Sequence, residues 1–256
     1  MLLLMHILVC VKQVIDPESP LTIGENGRSI QDKDVSCRMN RYDEYALEEA
    51  LLIRESRGGR VDAVTVGPPR CRGVLTKCIE KGADEAIHVS TPDEYLSPDC
   101  TAFLIASCAR GCGYDLILTG AMSEDFMRCQ TGPMLASLLD IPCATAVVRE
   151  QLDESCRTIL AECEIEGGLI ETMRLNLPAL LTIQTGINRP RYPSLSNVRR
   201  AKTYEPRIVT ATINDPSELL VSLSYPQRIG KGTVLEGTPK VKAQRLLSLL
   251  HERALV

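Results

Sequence analysis

The stretch GAMSEDFMRCQTGPMLA, residues 120–136, joins a predicted strand to a predicted helix and is the richest candidate for ligand chemistry in the chain. At its helix start, Gln130-Thr131-Gly132 can present backbone N–H groups to a phosphate. Gly132 allows a close approach, and Pro133 suits the first helical turn. Ordinary helix capping explains the same residues without a ligand. The chain contains neither a GxGxxG fingerprint nor a GxxxxGK[ST] P-loop, so neither a standard NAD site nor a P-loop ATPase is indicated.

Two other predicted strand ends carry candidate contacts. Cys10 to Gln13 follow the first strand, and Val66-Gly67-Pro68 follow the second. In an open parallel sheet, ligands bind beyond the carboxyl ends of the strands. These two loops and residues 120–132 are therefore the candidate ligand-binding positions.

The cysteines and histidines give little indication of a metal site or of a hydrolytic active site. The chain has eleven cysteines and three histidines. No cysteine pair has CxxC spacing, and Cys108 and Cys112 lack a nearby histidine that would complete a zinc set. We interpret the cysteines as small buried apolar residues in a reducing compartment. The histidines are isolated from one another, which leaves little for a Ser-His-Asp arrangement.

The elements that must position these loops alternate regularly along the first part of the chain. Apolar spacing predicts strands at residues 6–12, 60–66, 85–90, 114–120 and 144–152, and helices at 42–55, 72–82, 101–113 and 129–140. Strands separated by helices of this length are typical of right-handed βαβ crossovers. The predicted fold is an α/β, Rossmann-like open parallel sheet with helices on both faces, similar to the adenine-nucleotide hydrolases.

Three additions interrupt this alternation. Residues 13–40 form an insert with a predicted hairpin at Glu25-Asn26-Gly27. Residues 155–185 predict two antiparallel strands that turn at Gly167-Gly168, followed by a further strand. Residues 238–255 predict a final amphipathic helix. We therefore divide the chain into a nucleotide-binding domain (5–186), a loop (187–202) and a C-terminal arm (203–256).

The loop INRPRYPSLSNVRRAK, residues 187–202, shows neither helical nor strand period. It contains two prolines, five basic residues and one isolated leucine, Leu195, in a chain whose net charge is −4. Either the loop stays exposed for another protein, or Leu195 packs back on its own domain and the basic residues are merely solvated.

Five blocks of sequence, in this order, resemble the β subunit of electron transfer flavoproteins, the ETF β/FixA family. They are MNRYDEYALEEALLIRE, TVGPPRCRGVLTKCIEKGADEAIHV, the QTG helix start, EIEGGLIETMRLNLPALLT and NRPRYPSLSNVRRAK. The resemblance extends from about residue 5 to 205. It implies an electron-carrying subunit, without catalytic side chains, that moves electrons between flavin dehydrogenases and an acceptor. It also implies a heterodimer with an α subunit, an FAD shared with α, and in β either AMP or, as in electron-bifurcating members, a second FAD.

The resemblance assigns cofactor-binding positions to this chain. They are Cys10, Asn40, Arg41, Tyr42, Asp43, Val66, Asp125, Arg128, Cys129, Gln130, Thr131, Gly132, Pro133, Met134 and Glu164. It places Tyr42 beside the shared flavin and Glu164 toward the surroundings of the α-bound flavin. From the residues alone, Tyr42 could instead pack against the start of its helix, and Glu164 could be an exposed residue without a binding role. Glu48 and Glu49 are expected on a solvent-exposed helix face.

The resemblance also implies a docking role for the loop. Its recognition residues are Arg191, Tyr192, Pro193, Ser194, Leu195, Ser196 and Asn197. Burying a leucine such as Leu195 in a partner would contribute roughly 1.5–3 kcal/mol, and prolines reduce the entropy lost on docking. Arg191, Arg199, Arg200 and Lys202 would steer an acidic partner.

Several positions depart from the family pattern. Asp125-Phe126-Met127-Arg128 stands where members carry an Asp-rich stretch, so ribose contacts are not expected from Phe126 and Met127. Arg128 could instead meet a phosphate. Arg41 replaces the usual proline before the aromatic Tyr42. The choice between AMP and a second FAD, and between a simple and a bifurcating carrier, stays open.

Composition bounds the setting. The acidic net charge argues against wholesale nucleic-acid binding. The apolar run at the N-terminus has no basic leader and no small-residue cleavage site, and no stretch approaches the length of a membrane span. We expect a cytoplasmic protein that does not insert into membranes. The rival hypothesis is a nucleotide-binding regulatory module that forms a homodimer and has no redox role.

Overall fold

The computed structural model describes residues 4–31, 35–92, 95–211, 218–226 and 232–255. Two compact units make up the chain, Met1–Ser222 and Leu223–Val256. The second unit contains one helix, α6 (Pro239–Glu252), within its described residues. Thr238 caps that helix by accepting a hydrogen bond from the backbone N–H of Val241, which confirms the predicted final helix.

The first unit alternates strands and helices in the predicted order. Its strands are β1 (Met5–Cys10), β2 (Gln13–Ile15), β3 (Cys37–Met39), β4 (Gly59–Gly67), β5 (Glu85–Ser90), β6 (Leu116–Gly120), β7 (Cys143–Leu152), β8 (Thr158–Ile165), β9 (Leu169–Asn176), β10 (Ala179–Ile183) and β11 (Arg207–Thr210). Its helices are α1 (Arg41–Arg57), α2 (Arg72–Lys81), α3 (Pro98–Ala109), α4 (Thr131–Leu139) and α5 (Leu195–Thr203).

Nine of these strands form one sheet in the order β11-β5-β4-β1-β6-β10-β7-β8-β9. From β11 to β7 all neighbours run parallel. The β7–β8 and β8–β9 pairs are antiparallel, and β2 and β3 make a small antiparallel ribbon. The predicted α/β fold with a mainly parallel sheet and an antiparallel extension is confirmed.

The sheet is covered by helices on both faces. Alternate residues of β1 point to opposite sides, so Ile7 and Val9 pack with α1 and α2, whereas Leu8 packs with α3 and α4. This arrangement explains why the central strands read as continuous apolar runs rather than as alternating ones.

The direction in which successive strands are added to the sheet changes at β1. From β1 the chain proceeds to β4 and β5 on one side and later returns to β6 on the other. Such a switch point leaves a crevice at the carboxyl ends of the strands, where ligands of open α/β sheets bind. The loops after β1 and β6 therefore lie at the position where a ligand is expected.

Two features differ from the sequence-based expectations. Residues 187–202 were expected to lack secondary structure, but the segment contains most of α5. Ser194 caps this helix by accepting a hydrogen bond from the backbone N–H of Asn197 at 3.2 Å, and Ala201 is buried against the core. In addition, the polar tail after residue 203 provides β11, which pairs in parallel with β5.

Candidate functional site

Asp43, in the first turn of α1, ties together the ends of the two strands that flank the switch point. One carboxylate oxygen accepts from the backbone N–H of Lys12 at 2.7 Å, after β1. The other accepts from the backbone N–H of Gly120 at 3.0 Å, at the end of β6. A Cβ on Gly120 would lie 2.3 Å from that carboxylate oxygen and 2.6 Å from the Cβ of Tyr42. Glycine is therefore required for the helix to approach β6 this closely.

The Asp43 carboxyl is buried, and burial raises its pKa to about 7. Hydrogen bonds from the backbone N–H groups of Lys12 and Gly120 oppose this shift, as does the nearby Lys12 charge. Desolvation is the larger effect because, among the described residues, no counter-charge makes direct contact with the carboxyl. The Asp43 carboxyl therefore titrates close to neutral pH, although its hydrogen bonds serve to hold the ends of β1 and β6 together.

Asn40 fixes the loop that follows β6. Its side-chain amide donates to the carbonyl of Met122 at 2.9 Å, and its side-chain oxygen accepts from the backbone N–H of Glu124 at 3.0 Å. The Glu124 carboxylate in turn receives the guanidinium of Arg38 at 3.0 Å and the backbone N–H of Arg41 at 3.3 Å. The start of α1 and residues 122–124 are thus held as one unit.

Lys12 lies over this loop. Its ammonium group is 2.7 Å from the carboxylate of Asp125 and 4.1 Å from the ring centroid of Phe126. Phe126 is 40% exposed, and its backbone N–H donates to Asp125 at 2.8 Å. The Asp125 charge is consequently neutralised by Lys12, and the aromatic ring remains open to a ligand on its exposed part.

Beyond Phe126 the backbone is strained. Met127 and Cys129 have positive φ angles of 52° and 55°, a region that residues with a Cβ adopt at a cost of about 1–2 kcal/mol each. Strain of this kind clusters at ligand-binding segments. Arg128, which the sequence offered as a possible phosphate contact, is paired with Glu218.

Helix α4 begins directly after this loop. Among the residues that the structure describes, no side chain caps its N-terminus, so its first backbone N–H groups are available to an anion. Gln130 and Thr131 stand at that end, followed by Gly132, Pro133 and Met134.

Gly132 has a packing role that was not expected from the sequence. A Cβ at this position would lie 2.5 Å from Cγ2 of Thr182 and 2.9 Å from Oγ1 of Thr119. Both threonines are buried on the sheet, in β10 and β6. The absence of a Cβ at Gly132 therefore permits close packing of the helix on the sheet.

The ends of β1 and β4 complete the edge. Cys10 is buried, and desolvation raises the pKa of its thiol far above the usual range, which leaves it neutral. Val66 is half-buried one residue before Gly67, whose carbonyl lies 2.9 Å from Nε2 of His88. Since Arg72 donates to Nδ1 of His88 at 3.3 Å, Nε2 carries the ring proton and donates to Gly67. Burial lowers the pKa of His88, so this histidine is a neutral structural group.

Glu164 lies at the same edge but farther along the sheet. The register aligns Gly120 with Ile183, Ile183 with Val147, and Val147 with Cys163. Glu164 follows Cys163 and is three strands from β6, roughly 14 Å at ordinary strand spacing. Its carboxylate is exposed and accepts a hydrogen bond from Gln184 at 3.1 Å.

Residues 187–202 cross the helices α1 and α2, and their first part is anchored. Arg191 donates to Glu48 through its backbone N–H at 2.9 Å and pairs through its guanidinium with Glu48 and Glu55. Glu48 and Glu49 are only 5% and 8% exposed. The interpretation of these two glutamates as a solvated face is wrong, because they bind the segment that passes over them.

The basic residues of the segment are thus not all available for steering. Arg191 is held by Glu48 and Glu55, and Arg200 donates to the carbonyls of Ile79 and Ala83. Between these anchors, residues 192–196 are exposed to solvent. Tyr192 is 95% exposed and Leu195 is 82% exposed. We call residues 192–196 the exposed segment.

Lys12 and Glu124 lie within the candidate loops 10–13 and 120–132, but no individual role was expected for either residue. They make the contacts that order residues 120–126. The usable signal was positional, because both residues follow the carboxyl end of a predicted strand.

Several known proteins are similar to this chain over most of its length. The family profile of the electron transfer flavoprotein domain matches residues 29–214. The chain is 33% identical to the electron transfer flavoprotein subunit beta of Bacillus subtilis, covering 98% of this chain and 100% of that protein. It is 34% identical to the human subunit beta over 86% of this chain and 85% of the human protein. It is 32% identical to Protein FixA of Azotobacter vinelandii, covering 95% and 88% of the two chains.

Two general properties hold within the described residues. No helix there is both long enough and apolar enough to cross a membrane. All eleven cysteines are free thiols.

Proposed function

The chain belongs to the electron transfer flavoprotein family, and from this premise we propose that it is the β subunit of a heterodimeric electron carrier. In this role it moves electrons between flavin dehydrogenases and an acceptor, through an FAD shared with an α subunit. The observation that carries the proposal is the pair of exposed side chains Tyr192 and Leu195, 95% and 82% accessible, on a segment whose flanks are fixed by Arg191 and Arg200. Exposed in this way, the two side chains contribute no burial energy to the folded monomer, whereas a docked partner would bury both of them.

An adenine nucleotide, as AMP or as part of a second FAD, fits the carboxyl edge of the sheet. The uncapped start of α4, at Thr131 and Gly132, suits a phosphate. The half-exposed ring of Phe126 suits stacking with a base. Asp125 is already paired with Lys12 at 2.7 Å, so the phosphate and base contacts would contribute more than a ribose contact from this carboxylate.

Shared flavin binding is assigned to two further residues. When bound, the flavin supplies the redox chemistry, and the chain supplies orientation and electrostatics. Tyr42 is half-buried at the start of α1, where it packs beside Gly120, and we assign it to the side of the flavin. Glu164 is exposed and oriented by Gln184, which suits a carboxylate that faces a basic group on another subunit.

Surfaces for the α subunit are available on the first unit and on α6. The β8–β9 hairpin exposes Ile165, Leu169 and Ile170 by 43%, 63% and 52%. On α6, Leu246 and Leu247 are about half exposed. Apolar side chains grouped in this way favour burial against another protein, and we assign both surfaces to the α subunit. The free thiols favour a reducing, cytoplasmic setting.

Two measurements test this function. The complex with a flavin-binding α chain should accept electrons from a reduced flavin dehydrogenase, which is measured as bleaching of the flavin absorbance in a stopped-flow instrument. Denaturing the complex and identifying the released nucleotides should give one FAD plus AMP for a simple carrier, or two FAD for a bifurcating one. A chain that forms a homodimer, binds no flavin and accepts no electrons in the presence of the α chain would contradict the proposal.

A further inference from the structure

Two carboxyl groups lie next to Asn188, just before the exposed segment. Glu49 of α1 and Glu150 of β7 are hydrogen-bonded to each other through their side chains. Glu49 is only 8% exposed. Two carboxylates accept hydrogen bonds but cannot donate them, so this contact requires one proton between the two groups. The second oxygen of Glu150, Oε2, is buried and has no partner within the described part of the chain.

Asn188 connects this pair to the segment. Its side-chain amide donates to the carboxylate of Glu49 at 2.7 Å and to the carbonyl of Tyr45 at 3.0 Å. Its side-chain oxygen is also buried without a partner among the described residues. Asn188 lies three residues before Arg191, so its two hydrogen bonds hold the start of residues 187–202 on α1.

The neighbouring charges do not neutralise a second carboxylate. Arg57 of α1 is the nearby cation, and its guanidinium donates to the carbonyl of Leu152 at 3.0 Å. Glu48 adds negative charge next to Glu49, and Arg191 is bound to Glu48 and Glu55.

Burial and the mutual repulsion of the pair place the shared proton near neutrality. Burial, followed by the Glu49 charge, raises the pKa of Glu150 to about 7, against the lowering effect of Arg57. Burial also raises the pKa of Glu49, which the hydrogen bonds from Asn188 and Glu150 oppose. A second negative charge in this environment draws in water, and water competes for the hydrogen bonds of Asn188.

We propose that Glu49, Glu150 and Asn188 form a proton-dependent clamp that orders residues 187–191 at the base of the exposed segment. With one proton shared between the two glutamates the clamp is closed. When the proton leaves, the base of the segment loosens and the docking side chains lose their fixed orientation. The consequence for docking rests on the proposed function, whereas the clamp itself does not.

The test uses amide hydrogen exchange of the full-length chain, without flavin or partner, so it is independent of the proposed function. The readout is the backbone amide of Arg191, whose N–H donates to Glu48 at 2.9 Å; its protection factor, corrected for the intrinsic exchange rate, is measured at pH 6 and pH 8.5. We expect protection in the wild-type chain to fall by about tenfold over this range. Glu150→Gln, whose amide donates to Glu49 at every pH, should change by less than about twofold. Glu154→Gln, at an exposed position four residues away, should behave as the wild type.

A second measurement decides the case if Glu150→Gln fails to fold. The carboxyl 13C shift of Glu150 in the wild-type chain should titrate with a midpoint near 7. A midpoint near the ordinary value of 4.5 would overturn the proposal. So would pH-independent protection in the wild type, or a Glu150→Gln chain that loses protection as steeply as the wild type does.

Discussion

Replacing Gly132 with alanine tests how α4 is seated on the sheet at the candidate phosphate site. The new Cβ would lie 2.5 Å from Thr182 and 2.9 Å from Thr119, both closer than van der Waals contact. The two threonines are buried, at 3% and 5% exposure, so they cannot rotate into solvent and the helix start must lift. Overpacking of this kind costs about 1–3 kcal/mol. The better helix propensity of alanine offsets about 1 kcal/mol of that cost, which leaves a net loss of about 0–2 kcal/mol.

Gly73 provides the matched control, because it is also a helical glycine, in α2. The nearest atom to a Cβ at Gly73 is Nε2 of Gln13 at 3.9 Å, which is ordinary contact. Gly73→Ala should therefore stabilise the chain by about 0.5–1 kcal/mol. Urea unfolding of the wild type and both variants, with equal m values, gives the free energies. A Gly132→Ala chain as stable as Gly73→Ala would refute the seating of α4 through this glycine.

Two other variants probe docking and the buried carboxyl. Leu195→Ala should weaken docking of a flavin dehydrogenase by about 5- to 30-fold, since about 1–2 kcal/mol of burial is lost. Flavin content should be unchanged, and Leu219→Ala, another exposed leucine, should dock normally; equal affinities of the two variants would contradict the role of Leu195. Asp43 has a pKa raised from 3.8 to about 7 in the folded chain, so the folded state binds its proton more tightly and this contribution to stability is lost as pH rises toward 7 and above. Between pH 5 and pH 8 the free energy of unfolding should fall by about 2–3 kcal/mol more in the wild type than in Asp43→Asn, and parallel pH profiles from urea unfolding would contradict this assignment.

The sheet, its helices and the antiparallel extension were predictable because each element leaves a local pattern. For example, the Val-rich run in β4 is stopped by Gly67-Pro68, and helix α2 ends at Gly82 as its C-cap. The position of β10 between β6 and β7 leaves no such local signal. Strand order depends on long-range pairing, which a single sequence does not encode in its periodicity.

Helix α5 was missed for a different reason. Its apolar positions are Leu195, Val198 and Ala201, a weak helical spacing in a segment dominated by basic residues. Of these three, only Ala201 is buried. The capping residue Ser194 was the usable signal, because a serine that follows a proline and precedes a polar turn is a common helix start.

The site residues divide along similar lines. The location of the crevice followed from the βαβ pattern, because ligands bind where parallel strands end. The buried roles of Glu48 and Glu49 could not be predicted, because they depend on Asn188 and Arg191, which lie about 140 residues away in sequence. Gly132 was noticed, but its actual neighbours are on β6 and β10, which only the tertiary fold brings together.

Native mass spectrometry of the chain co-expressed with a flavin-binding α chain of the family tests the central claim most directly. We predict a one-to-one heterodimer that retains FAD, with a second nucleotide bound at the carboxyl edge of the β sheet. A colourless homodimer of this chain, recovered with no α chain and no flavin, would contradict it.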